Sequence, residues 1–100
     1  MSVEFKAVFS KTRDMRYISH LDLTRMFHRA TRRAGLPVAV TKGFSPRLKI
    51  SITKALKLGV ESHAEEAVFC LDEDVGQDEF MRKMNEKLPE GVRIESAKKV

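Results

Sequence analysis

Residues 19–37 read SHLDLTRMFHRATRRAGLP, and this stretch decides the fold because it contains one helix with both ends marked. Ser19 lies three residues before Asp22, which fits a capping box that satisfies the free amides of a first turn. Gly35 and Pro37 end the helix, since glycine accepts a left-handed backbone and proline cannot continue the hydrogen bonding. The apolar residues recur at helical spacing and form one stripe: Leu23, Met26, Phe27, Ala30 and Ala34.

The segments around this helix predict strands and one further helix. Residues 3–9 alternate in polarity, 48–52 alternate likewise, 38–40 and 92–94 are short apolar runs, and 67–71 read as a buried strand. A second helix is expected over 78–88, with Phe80, Met84 and Leu88 on one face. Residues 10–17, 41–47 and 54–63 are expected to be turns or irregular segments.

This order of elements predicts an α+β fold. The best match is a ferredoxin-like two-layer sandwich, in which an antiparallel sheet carries two helices on one face, with an extra strand or loop after the first helix. We expect the other face of the sheet to be partly open. Such a fold hosts many functions, so the function has to be argued from particular residues.

Composition excludes several classes of protein. No run of 18 apolar residues is present, and the N-terminus lacks the apolar stretch of a signal peptide, so we expect a cytoplasmic location. The single cysteine, Cys70, excludes an internal disulfide and is expected to be an inert core residue. Since no CxxxCxxC motif occurs, this chain cannot itself hold the iron–sulfur cluster of a radical enzyme. His20, His28 and His63 lack a paired spacing, which argues against a zinc site.

Charge is divided unevenly along the chain, whose formal net charge is +5. Residues 1–60 carry 13 lysines and arginines against three acidic residues, and residues 61–100 carry six against eleven. The first segment therefore creates a positive field that attracts polyanions. The acidic second segment indicates one binding face and one solvated face.

The polar side of the first helix presents Arg25, Arg29, Arg32 and Arg33. Arg25, Arg29 and Arg33 are successively one turn apart, where like charges repel. A bound anion, or acidic residues elsewhere in the fold, would relieve that repulsion, and the guanidinium fork suits a phosphate group. The alternative is a solvated face whose last cations, Arg32 and Arg33, favour the helix C-terminus.

Two neighbouring segments are candidates for further contacts. In the loop KGFSPRLK (42–49), Gly43 permits close approach of a ligand, and Phe44 can stack on an unpaired base. The cations of this loop can hold phosphates: Lys42, Arg47 and Lys49. The alternative is a structural turn that buries Phe44. At the helix start, the residues with a possible substrate contact are Ser19, His20 and Asp22. Capping alone also explains Ser19 and Asp22, and no nucleophile with a paired base accompanies His20.

Residues 16–62 resemble a known family. The segments RYISHLDL (16–23), AGLPV (34–38), GFSPRLKIS (43–51) and GVES (59–62), with the arginines between 25 and 33, are similar to the pattern of the radical-SAM-linked domain of unknown function, DUF2344. The family loop usually carries His-Pro where this chain has Arg47 and Leu48, so a role for that histidine does not carry over. Members of the family are longer, and the resemblance therefore implies that residues 1–100 are a single domain, the N-terminal half of a longer family region.

The resemblance implies an association with a radical SAM protein and with bacterial translation or RNA processing. S-adenosylmethionine and an iron–sulfur cluster would then belong to the partner, with no cofactor in this chain. Together with the basic residues, it leads to the hypothesis of a non-catalytic module that binds tRNA or rRNA. The alternative is a protein-interaction module that docks onto a radical SAM subunit without binding nucleic acid. A hydrolase or isomerase that uses His20 and Asp22 is a third and weaker hypothesis.

Overall fold

The computed structural model of the chain describes residues 3–40, 49–52 and 59–100. These residues form one antiparallel sheet and two α-helices, with a short 3₁₀ helix at Arg13–Tyr17. In chain order the elements are β1 (Val3–Lys11), α1 (His20–Arg33), β2 (Ile50–Ile52), β3 (Ser62–Leu71), α2 (Gln77–Lys87) and β4 (Val92–Lys99).

The sheet has the strand order β2-β3-β1-β4, and every neighbouring pair is antiparallel. The central strand β1 pairs with β3, where Phe5 faces Phe69 and Ala7 faces Ala67. On its other side β1 pairs with β4, and a register shift lies between Val8 and Phe9. The α+β class and the ferredoxin-like two-layer sandwich are thereby confirmed.

The core lies between the sheet and the two helices. Because side chains alternate along β1, Phe5, Ala7 and Phe9 are fully buried under the helices while Glu4 and Lys6 are exposed on the other face. Five phenylalanines make the centre of this core, and neighbouring rings stack or meet edge to face with centroids 5.0–5.7 Å apart: Phe5, Phe9, Phe27, Phe69 and Phe80. The sheet therefore has one covered and one partly open face.

Several local expectations differ from the structure, among them β4, which continues to Lys99 where a strand over 92–94 is expected. The extra strand expected at 38–40 is reduced to an isolated bridge between Val38 and Leu71. Strand β3 begins at Ser62, five residues before the expected start, and β1 continues to Lys11. Both extensions arise because β1 is paired on both sides, so partner strands supply hydrogen bonds to polar residues that the local pattern assigns to turns.

The boundaries of α1 agree with the sequence signals. The Ser19 hydroxyl accepts a hydrogen bond from the Asp22 amide at 3.1 Å, which caps the first turn. After Arg33 the chain leaves the helix through Gly35, whose φ is +69°, a value that favours glycine.

Among the described residues, no helix has the length and apolar character needed to cross a bilayer.

Candidate nucleic-acid interface

The four arginines of α1 lie on its solvent side. The buried residues of this helix face the sheet, and they include Leu23, Phe27 and Thr31. Because those positions take up one side of the helix, the arginines are left exposed on the remaining surface: Arg25, Arg29, Arg32 and Arg33. The row that the sequence predicts is therefore accessible from Arg25 to the end of the helix at Arg33.

The acidic residues of the second half do not neutralise this row. Within the described part of the chain, Arg29, Arg32 and Arg33 have no carboxylate within ion-pair distance. Arg25 lies 3.8 Å from Asp22, a partner on its own helix. Five acidic residues elsewhere pair with other cations: Glu66 with Lys6, Asp74 with Lys99, Glu79 with Lys83, Glu86 with Arg82 and Glu90 with Arg13.

Two of these arginines line a pocket beside α2. Its volume is about 220 Å³, and Arg29 and Arg33 meet Lys87 there, with Met26, Ala30 and Pro89 completing the wall. The helices follow the antiparallel strands β1 and β3 and so run in opposite directions. The lining of this pocket therefore includes three basic residues from two helices: Arg29, Arg33 and Lys87.

The residues at the start of α1 have structural contacts. Ser19 caps the helix, as described, and the Asp22 carboxylate is directed toward Arg25. His20 is exposed at the first helical position, and its carbonyl accepts a hydrogen bond from the Thr24 hydroxyl at 3.0 Å. Asp22 is therefore part of the charge pattern of the helix, and the capping interpretation of Ser19 is correct.

Of the loop residues expected to contact phosphates, only Lys49 can be placed. Its amide donates to the Ala39 carbonyl at 2.8 Å and its carbonyl accepts from the Cys70 amide at 3.0 Å. Lys49 is thereby fixed beside β3 with an exposed side chain. The other predicted contacts of this loop lie outside the described residues: Lys42, Gly43, Phe44 and Arg47.

Sequence reasoning missed two features of the folded chain. Lys87 is one, because nothing in the local sequence shows that the end of α2 lies beside Arg29. Tyr17 is the other: its side chain is 56% exposed, and the Arg16 guanidinium lies over its ring. An aromatic residue in the polar stretch RDMRY is the signal that could have pointed to it.

The described residues show no metal site, and the single cysteine lies outside the core. No group of three His, Cys, Asp or Glu residues is placed to bind a metal ion in residues 3–40, 49–52 and 59–100. Cys70, expected in the core, is half-buried on the opposite face of β3 from Phe69 and Leu71. The expectation was wrong because the strand faces the helices on one side only.

These observations define a small α+β domain with a ferredoxin-like sheet and one basic helix, on which Arg29, Arg32 and Arg33 have no acidic partner among the described residues. The family model described as an uncharacterized protein conserved in bacteria, DUF2344, matches residues 5–100, and the chain belongs to this family. A comparison with curated protein sequences finds no match.

Proposed function

We propose that this domain binds RNA through the exposed arginines of α1, as a non-catalytic accessory module. The RNA is a tRNA or an rRNA, and the domain presents it to a radical SAM partner that supplies the iron–sulfur cluster and S-adenosylmethionine. The observation that carries the proposal is the pocket in which Arg29, Arg33 and Lys87 meet with no carboxylate beside the two arginines, among the residues the structure describes.

A requirement for helix stability does not account for this arrangement. Cations in the last turn favour the negative end of the helix dipole, which explains Arg32, Arg33 and Lys87. Arg29 is one turn further in, and its like charges at i−4 and i+4 destabilise α1 slightly. A phosphate group bound between the guanidinium forks would reverse this repulsion, since such charge-assisted bonds are strong and often bidentate.

The dimensions of the row favour a polyanion over a single small anion. At a rise of 1.5 Å per residue, Arg25 and Arg33 are about 12 Å apart along the helix axis. One phosphate group cannot contact both ends of such a row, whereas a nucleic-acid backbone can. The choice of RNA over other polyanions rests on the resemblance described above, which implies neighbours in translation and RNA processing.

The proposal is tested with a matched pair of double variants. The change Arg29→Glu with Arg33→Glu reverses two charges on α1, and the change Arg82→Glu with Lys83→Glu reverses two on α2. Binding of a labelled single-stranded RNA at low salt should weaken about a hundred-fold or more in the first variant, because two charge-assisted contacts are lost. The second variant should bind nearly as the parent does. Equal binding by the parent and the first variant would show that the assigned face is wrong.

A pull-down of the radical SAM protein after nuclease treatment separates RNA binding from direct docking. If RNA is the ligand, the parent domain shifts RNA and the arginine variant does not. Co-purification that persists without RNA, together with no RNA binding by the parent, would replace the RNA proposal with a protein-interaction module.

A further inference from the structure

Tyr17 is an exposed aromatic side chain held in a defined position just before α1. It ends the 3₁₀ helix Arg13–Tyr17 and is 56% exposed. The Arg16 guanidinium carbon is 4.5 Å from the ring centroid, and Arg16 Nη2 donates to Tyr17 Oη at 2.8 Å. The guanidinium therefore covers one face of the ring, while more than half of the side chain stays exposed.

The backbone beneath the ring is fixed from two directions. The Arg16 carbonyl accepts hydrogen bonds from the Gly59 amide at 2.6 Å and from the ammonium group of Lys11 at 3.3 Å. Lys11 is only 1% exposed, so this hydrogen bond from its side chain is buried within the fold. Gly59 approaches the ring edge closely, since a Cβ built there would lie 3.6 Å from Tyr17 Cε1, and its φ of +82° favours glycine. The ring position is thus set before any ligand arrives.

Tyr17 precedes the basic row along the chain. Tyr17 lies three residues before α1, and the first turn of that helix exposes Leu21, which is followed one turn later by Arg25. A strand whose phosphates contact the arginines can therefore extend past the helix start. An exposed aromatic face beside cations is the arrangement that binds unpaired bases, because every base can stack on it while the cations hold the backbone.

We propose that Tyr17 is a stacking platform for one unpaired base of the bound RNA. This inference rests on the proposed function and adds the class of ligand: RNA with a single-stranded segment, such as a loop or an end. A fully paired duplex would contact the arginines without using the ring.

The chain supplies its own probe, because Tyr17 is the only tyrosine and tryptophan is absent. Intrinsic tyrosine fluorescence therefore reports this one ring. Titration of the parent with an oligouridine should quench the fluorescence at the same midpoint as binding of the labelled oligouridine measured by anisotropy. An abasic oligonucleotide of equal length carries phosphates without bases, and it should bind without comparable quenching.

Two variants provide an independent measurement. Tyr17→Ala should weaken oligouridine binding about ten-fold, because stacking on an aromatic side chain is lost, and should leave binding of the abasic strand unchanged. Tyr17→Phe keeps the ring and should keep the parent affinity. If Tyr17→Ala binds oligouridine as tightly as the parent and quenching is absent, Tyr17 does not stack on a base. RNA binding by the arginines of α1 is not contradicted by that result. If the parent binds neither strand, the RNA proposal itself fails and the platform with it.

Discussion

The two helices pack on the same face of one sheet, yet their polar sides differ in charge. Helix α1 carries four arginines against one aspartate, whereas α2 carries three basic and three acidic residues. On α2 the charges pair one turn apart, with Arg82 3.2 Å from Glu86 and Lys83 3.4 Å from Glu79. The polar side of α2 thus pairs four of its six charges within the helix, as expected for a solvated surface.

This difference in charge indicates that the apolar sides of the helices stabilise the domain, whereas the polar side of α1 serves the proposed binding. Both helices bury an aromatic residue completely, so both contribute to the core. Their polar sides make little difference to folding, since exposed ion pairs contribute little. The charges on α1 are therefore free to serve a ligand. Substitutions on either side of each helix can therefore test stability and binding independently.

The largest expected effect concerns the apolar sides, where the two helices should behave alike. Phe27 contacts Phe9 and Phe69 edge to face, and Phe80 stacks on Phe5. Phe27→Ala and Phe80→Ala should each lower the free energy of unfolding by about 3–5 kcal/mol, because each removes a buried ring and leaves a cavity. Urea denaturation measures this. A cost below about 1 kcal/mol for either variant would show that its helix is not packed as described.

An intermediate effect concerns the N-termini, where the helices differ. The Ser19 hydroxyl caps α1, whereas α2 begins after Gly76, which has no side chain to donate or accept. Ser19→Ala should cost about 1 kcal/mol. Gly76→Asp should stabilise the domain by roughly 0.5 kcal/mol, because a Cβ at Gly76 meets nothing within 4 Å and a carboxylate favours the helix start. Thermal unfolding of the two variants should therefore shift in opposite directions, and shifts of the same sign would contradict the assignment.

The smallest expected effect concerns the charge pattern, which is the feature that distinguishes α1 from α2. Arg29→Glu places a carboxylate one turn from both Arg25 and Arg33, so it should stabilise α1 by roughly 0.2–0.5 kcal/mol per pair. Glu79→Gln on α2 removes the pair with Lys83 and should destabilise by a similar amount. Both effects should fade at high salt. A loss of stability in Arg29→Glu at low salt would mean that a carboxylate already compensates this arginine in solution.

Much of the fold could be predicted because its signals are local. The capped apolar stripe of α1 and the alternation around Phe5 and Phe69 need no knowledge of distant residues. The strand extensions to Lys11 and back to Ser62 could not be predicted, since both depend on pairing between segments about 50 residues apart in sequence. Local polarity assigns these residues to turns, and only the partner strand makes them part of the sheet.

The candidate site likewise has one part that the local sequence predicts and another that depends on tertiary packing. The exposure of Arg25, Arg29, Arg32 and Arg33 follows from helical periodicity within one segment. The place of Lys87 beside Arg29 and Arg33 depends on how α1 and α2 pack, and the position of Tyr17 depends on the hydrogen bond from the Gly59 amide to the Arg16 carbonyl. Residues that converge from distant segments leave no spacing pattern in the sequence, so they become visible only in the folded chain.

The most direct test of the basic surface on α1 is the salt dependence of RNA binding. The affinity of the parent for a single-stranded RNA should fall with added salt, with a slope of about −0.7 in the double-logarithmic plot for each phosphate contact. The neutral double variant Arg29→Gln with Arg33→Gln should give a slope shallower by about 1.4, because two contacts are lost. Parallel lines for the parent and this variant would contradict the account, since Arg29 and Arg33 would then make no contact with the RNA backbone.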